Sequence, residues 1–162
     1  MQMKVLINIS LFILLFCFSC KNKDKIYELN TITAHPANTG KDKLKSNEQY
    51  ISILYANLFQ KALSANKLVE ISECIQSIGD KETAKEIVIA NFLNDPDIII
   101  PSKQDMTDDP DGFLDETYHR FFVRNITEAE KTYFKNIIMA NDSLTPEMLY
   151  YSFALSDEYQ YY

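Results

Sequence analysis

The order of apolar and polar positions divides this chain of 162 residues into three stretches. Residues 5–18 are apolar except for Asn8 and Ser10, preceded by Lys4 and followed at once by Lys21-Asn22-Lys23-Asp24-Lys25. Such a run is too short to span a bilayer comfortably as a permanent helix and has the flanks of a secretory signal. Residues 21–46 carry few large apolar side chains, too few to offset the entropy of ordering them, and are read as a flexible spacer.

From residue 46 onward the apolar positions recur at helical spacing. Ser46-Asn47-Glu48-Gln49 has the form of a capping box and precedes Ile51, Leu54, Tyr55, Leu58, Phe59 and Ala62. Asn66 is expected to cap a second helix carrying Val69, Ile71, Cys74, Ile75 and Ile78, stopped by Gly79. Asp80 opens a third, ended by Asn94-Asp95-Pro96. Residues 98–112 are read as a long connection, in which Ile98-Ile99-Ile100 followed by Pro101 is a covering segment rather than a strand. Phe113, Leu114, Tyr118, Phe121 and Phe122 mark a fourth helix. Thr127 and Glu130 form a second capping box before a fifth, and Thr145-Pro146-Glu147 supplies a cap and an N1 proline for a sixth.

The two halves align. Tyr55-Ala-Asn-Leu-Phe-Gln-Lys-Ala-Leu-Ser64 runs in step with Tyr118-His-Arg-Phe-Phe-Val-Arg-Asn-Ile-Thr127, and after a two-residue shift Phe92-Leu-Asn-Asp-Pro-Asp-Ile98 faces Phe153-Ala-Leu-Ser-Asp-Glu-Tyr159. The expected fold is therefore all-α: a six-helix bundle from two diverged three-helix repeats, preceded by a disordered tether. The expected organisation is a signal over 1–19, a lipidated tether over 20–45 and a helical domain over 46–162. Within that domain the first repeat spans 46–97, the connection 98–112 and the second repeat 113–162.

Two resemblances add function classes to this pattern. The apolar run ending Phe18-Ser19-Cys20 resembles the lipobox of bacterial lipoproteins, although Cys17 and Phe18 stand where that family usually has Leu and a small residue. The resemblance implies cleavage before Cys20, acylation of its thiol, and a membrane partner through that lipid. Lys21, rather than an Asp, favours the outer membrane of a bacterial envelope over inner-membrane retention. The string Tyr118-x-x-Phe-Phe-x-Arg124-x-x-Thr127-x-x-Glu130, with Thr145-Pro146-Glu147 and Ser156-x-Glu158-Tyr159, resembles the helical module of phycobilisome linkers and related secreted repeats. It departs from that pattern at Val123 and Ile126. What it implies is protein–protein linking, not catalysis.

Charge and composition narrow the classes further. The chain holds 16 Lys+Arg against 23 Asp+Glu. Residues 21–46 contain six lysines and three acidic residues, whereas 47–162 contain nine basic and twenty acidic residues. An acidic body is repelled by phosphate backbones, so nucleic acid is not an expected partner. A basic segment beside a lipid anchor suits anionic headgroups. No cofactor is expected, since the chain has no CxxCH, no CxxC and only three glycines. With Cys17 and Cys20 assigned to the signal and the anchor, Cys74 stands alone and is expected to be buried and inert.

Three sets of residues carry candidate chemistry. Asp109, Asp111 and Asp115 approximate a calcium loop, but Tyr118 stands where the bidentate carboxylate belongs, and a Pro-Asp-Gly turn before a capped helix accounts for the same residues. His119, Arg120 and Arg124, near Glu128 and Glu130, are candidates for a site at the seam between repeats; Arg124 can equally satisfy a carboxylate or the last carbonyls of its helix. Tyr150, Tyr151, Tyr159, Tyr161 and Tyr162 form an aromatic cluster suited either to a partner or to closing the bundle. The leading expectation is a non-catalytic, lipid-anchored binding or assembly subunit with an envelope protein as partner. The alternatives are a ligand-binding or enzymatic domain with its site at the seam and, more weakly, an acidic immunity or inhibitor protein. A pocket lined by the seam cations and convergent carboxylates favours the enzyme; a filled aromatic seam with exposed tyrosines favours assembly.

Overall fold

Local capping chemistry starts nearly every helix. The structure, a computed structural model, describes residue 36 and residues 40–162. The expected signal, the lipidation site Cys20 and most of the expected tether lie outside the described residues. Among the described residues there are eight helices: α1 (Asn47–Phe59), α2 (Ala65–Ser77), α3 (Lys81–Leu93), α4 (Lys103–Asp108), α5 (Pro110–Phe122), α6 (Glu128–Ala140), α7 (Pro146–Leu155) and α8 (Asp157–Gln160). None of them is long and apolar enough to cross a membrane.

The reciprocal boxes at Ser46/Gln49 and Thr127/Glu130 form as the spacing predicts, and the Asp80 carboxylate accepts from the backbone of Glu82 and Thr83. Pro146 occupies the first turn of α7 behind Thr145. Three boundaries differ from expectation. Ser64, not Asn66, caps α2, which therefore starts two residues earlier. The connection over 98–112 contains α4, opened by a box between Ser102 and Asp105 and held by the buried Met106. The following helix begins at Pro110, because the Asp109 carboxylate accepts from Gly112 N at 3.0 Å and sits where a Cβ at position 112 would stand. Ile98 and Ile100 pack as a covering segment, pinned by Ile99 N donating to Leu58 O at 2.8 Å.

The duplication is geometric as well as sequential. α1 and α5 are both 13 residues long, as are α2 and α6, and each pair is separated by the same 63 positions. Gln60 and Val123, which end α1 and α5, are the only non-glycine residues with positive φ among the described residues, at 51° and 54°. Aromatic triads recur too. Tyr55, Phe59 and Phe92 have ring centroids 4.3, 5.5 and 5.7 Å apart; their counterparts Tyr118, Phe122 and Phe153 lie 5.0, 5.4 and 5.2 Å apart. Each triad fixes the first helix of a repeat against the third. α3 packs on α7 to join the repeats, and one continuous core runs through both.

Part of the expected tether belongs to the folded body. Residues 41–45 run antiparallel to the chain end, with Lys45 N donating to Gln160 O and Tyr162 N to Lys43 O, both at 2.9 Å. The Lys45 ammonium donates to the carbonyls of Tyr159 and Tyr161 and lies 4.5 Å from the Tyr159 ring centroid. Backbone pairing and cation–aromatic contact order a segment whose composition alone read as spacer.

Candidate functional site

The seam between the repeats is filled by rings. The Tyr159 side chain is fully buried, edge-on to Tyr50 at 5.6 Å and 5.5 Å from Phe121, and its hydroxyl accepts from Asn57 Nδ2 at 3.0 Å. Tyr50 crosses the seam the other way, donating its hydroxyl to Ala154 O at 3.1 Å. Phe121 meets Tyr150 at 4.9 Å, and Tyr150 stacks on Phe113. Burial holds the Tyr50, Tyr150 and Tyr159 hydroxyls above the ordinary phenol range, so none of them is poised as an acid or base near neutrality.

Beside this aromatic wall, Arg124 is clamped between two carboxylates. The left-handed turn at Val123 reverses the chain after α5 and directs Arg124 inward, where it is 5% exposed. Nε and Nη2 reach Glu158 at 2.6 and 2.7 Å; Nη1 and Nη2 reach Glu130 at 3.0 and 2.7 Å; Nη1 also donates to Asn125 O at 3.0 Å. All five guanidinium N–H groups are thereby used. Glu130 at the same time accepts from Thr127 N and Oγ1 at 2.9 and 2.7 Å, so the capping box of α6 and the clamp share one carboxylate. Hydrogen bonds donated to Glu158 and Glu130 raise the arginine further above its ordinary value. Burial acts to raise Glu130, but Arg124 and the Thr127 hydrogen bonds outweigh it and bring the carboxyl down to about 2. A carboxylate held that low is a poor proton acceptor, and a saturated guanidinium has no donor left for a substrate. The clamp is a tie between α6, α8 and the end of α5.

The other seam candidates are separate from it. His119 Nε2 is 2.8 Å from Asn125 Oδ1 on the surface, and it makes no pair with Glu128 or Glu130. Arg120 bonds Glu116 at 2.7 Å and Ile99 O at 3.1 Å, with its guanidinium 5.7 Å from the Tyr150 ring centroid. The acidic run does not converge either. Asp109 caps α5, Asp111 pairs with Lys135 at 2.6 Å and Asp115 pairs with Lys131 at 2.7 Å. No cluster of metal-ligating side chains exists among the described residues. The tyrosine cluster divides. Tyr150 and Tyr159 are core, Tyr151 is half-buried, and Tyr161 and Tyr162 are 37% and 40% exposed. Cys74 is exposed rather than buried: one residue round the helix from Ile75, it falls on the rim of the α2 face.

A pocket of about 440 Å³ opens between residues 40–45, the end of α5 and the chain end, walled by Ile53, Phe121, Val123 and Tyr162 and edged by Lys41 and Lys45. Lys41 contacts Glu158 at 3.7 Å; burial lowers its pKa against that partner's pull. Lys45 is brought down to about 8 by burial and by Lys41, opposed by Glu158. The alternation Lys41-Asp42-Lys43-Leu44-Lys45 is the one signal in the sequence that foreshadows an extended, two-faced segment here.

No protein-family model matches the chain, and neither a curated protein nor a solved structure shows significant similarity to it.

Proposed function

We propose that this chain is a lipid-anchored cell-envelope protein, acylated at Cys20, whose helical domain is a non-catalytic binding and assembly module. The observation that carries the non-catalytic reading is the filled seam: where a site between repeats would lie, Tyr50, Phe121, Tyr150 and Tyr159 pack ring against ring. The charged groups next to it are committed to one another, with Arg124 saturated by Glu130 and Glu158. Tyr161, Tyr162 and Leu44, on the paired segments at one end of the fold, keep large apolar area exposed. Such amphipathic rings beside apolar surface suit a protein partner. The linker-like string Tyr118…Arg124…Glu130…Ser156…Glu158 favours linking over catalysis. The apolar run before Cys20 and Lys21 after it favour the outer membrane.

The test is metabolic labelling with palmitate, followed by capture from solubilised envelopes with antibodies to the folded domain. Wild type is expected to take up label, Cys20→Ala not. One envelope protein is expected to co-purify at fixed stoichiometry with wild type, and to be lost from Tyr161→Ser/Tyr162→Ser. A labelled but solitary monomer would sink the assembly reading, and an unlabelled wild type the anchor.

A further inference from the structure

The described residues lining the 440 Å³ pocket include Lys41, Lys45 and Arg124 but no Asp or Glu, in a chain whose net charge is -7. The two carboxylates nearby are both bound to Arg124, and Lys41 takes only a 3.7 Å share of Glu158. Lys45 is half-buried, and it has no carboxylate within ion-pair distance among the described residues. Its ammonium leans instead on two backbone carbonyls and on the Tyr159 and Tyr162 rings, using two of its three donors on oxygen. Burial and the neighbouring Lys41 bring the Lys45 ammonium down to about 8, and Glu158, beyond ion-pair distance, offsets only part of that shift. Ile53, Phe121, Phe122 and Val123 make much of the remaining lining apolar. A volume of this size falls in the range of about 300–1,000 Å³ that small-molecule sites occupy.

Two further grooves among the described residues, between α2 and α3 beside Cys74 and between α3 and α7 beside Met148, have no such excess of one sign. We propose that the pocket between residues 40–45, the end of α5 and the chain end binds a small anionic amphiphile. The ligand is a carboxylate or phosphate head on an acyl or aryl body; Lys45 and Lys41 take the head, and Ile53, Phe121, Val123 and Tyr162 hold the body. The head supplies the charge Lys45 lacks, and the body displaces water from a wall that gains nothing from it. This does not depend on acylation of Cys20 or on a protein partner, so either reading can fail without the other.

The test uses the full chain in phosphatidylcholine nanodiscs, titrated calorimetrically with octanoate, octyl phosphate, octanol and octyltrimethylammonium, with protein-free discs subtracted. Octanoate and octyl phosphate are expected to bind one per chain, at least about tenfold tighter than octanol, the value of a charge-assisted hydrogen bond. Octyltrimethylammonium is expected to show no protein-dependent heat. Lys45→Gln and Lys41→Gln should each weaken octanoate several-fold. Ile53→Trp, which fills the pocket from α1 without touching a cation, should abolish it while leaving the melting transition near that of wild type. Octanol binding as tightly as octanoate, or undiminished octanoate binding by Ile53→Trp, overturns the proposal. Replacing the disc lipid by phosphatidylglycerol separates the sources: competition with octanoate identifies a bilayer lipid headgroup, and unchanged affinity a free amphiphile.

Discussion

The two repeats share their helix lengths, their left-handed turns and their aromatic triads, yet they differ in how the corresponding ion pair is built. In the second repeat Arg124 meets Glu158 by two bonds at 2.6 and 2.7 Å, and a second carboxylate, Glu130, closes the other side. The alignment places Lys61 where Arg124 stands and Asp97 where Glu158 stands. That pair also forms, at 3.6 Å, with side chains 52% and 73% exposed. Glu130 corresponds to Lys67, so the first repeat has a second cation where the second has a second anion. The same backbone therefore carries a tight clamp in one copy and a surface contact in the other. A planar fork inside a fold is a structural element, whereas an ammonium at the surface is mostly solvated.

The comparison breaks most sharply at the clamp. Arg124→Met leaves two facing carboxylates without their shared partner and is expected to cost about 3 kcal/mol in urea unfolding. Lys61→Met is expected to change stability by less than about 0.5 kcal/mol. Equal losses would mean that the two pairs do equivalent work and that burial is irrelevant to the difference.

Acid titration sharpens the same contrast. Glu130 has a folded pKa of about 2 against an ordinary value of 4.5. Its contribution is therefore fully present above pH 4.5 and is lost as pH falls from there through 2. Discounted for its partial exposure, about 2 kcal/mol should disappear across that window. Glu130→Gln should start less stable at pH 7 and show a flatter acid limb. An unchanged slope in that variant would remove the carboxylate from the account.

What could be read from the chain beforehand was what one helical turn encodes. The boxes at Ser46 and Thr127, the Asp80 cap and the Thr145-Pro146 start are decided within three or four residues, and they stand where expected. α4 escaped because Asp105 takes the N3 place usual for Glu or Gln, and because six residues with one buried Met106 show no period. At α2 both Ser64 and Asn66 can cap, and the earlier residue gains an extra half-turn of helix. The site was harder. Arg124 had two possible uses on sequence grounds, and choosing between them needs Glu158, 34 positions away. The pocket joins Lys45 to Tyr161 across 116 positions, and no local pattern reports that.

The left-handed turns offer a smaller test. Both repeats end their first helix with a non-glycine residue at positive φ, but Val123 is β-branched and Gln60 is not. A β-branched side chain in that conformation is crowded against its own backbone. Val123→Gly should therefore recover about 1 kcal/mol of strain, less what is lost from its apolar contact in the pocket wall. Gln60→Gly should gain less. A loss of stability in Val123→Gly larger than in Gln60→Gly would show that packing, not strain, governs that turn.

The smallest effect is expected at Cys74, whose counterpart in the second repeat is Ile137. Ile137 is half-buried and Cys74 is exposed, so the equivalent helix face is wetter in the first repeat. A thiol on that rim should react stoichiometrically with a small maleimide in the native state, without denaturant. Cys74→Ser should stay within about 0.5 kcal/mol of wild type, since it removes little buried area. Cys74→Ile, which copies the second repeat, adds apolar surface beside the groove formed by Ile71, Ile87 and Phe92. If it raises the melting temperature, the first repeat has room to pack as its twin does; if it leaves the melt unchanged while promoting self-association, the added side chain has remained at the surface.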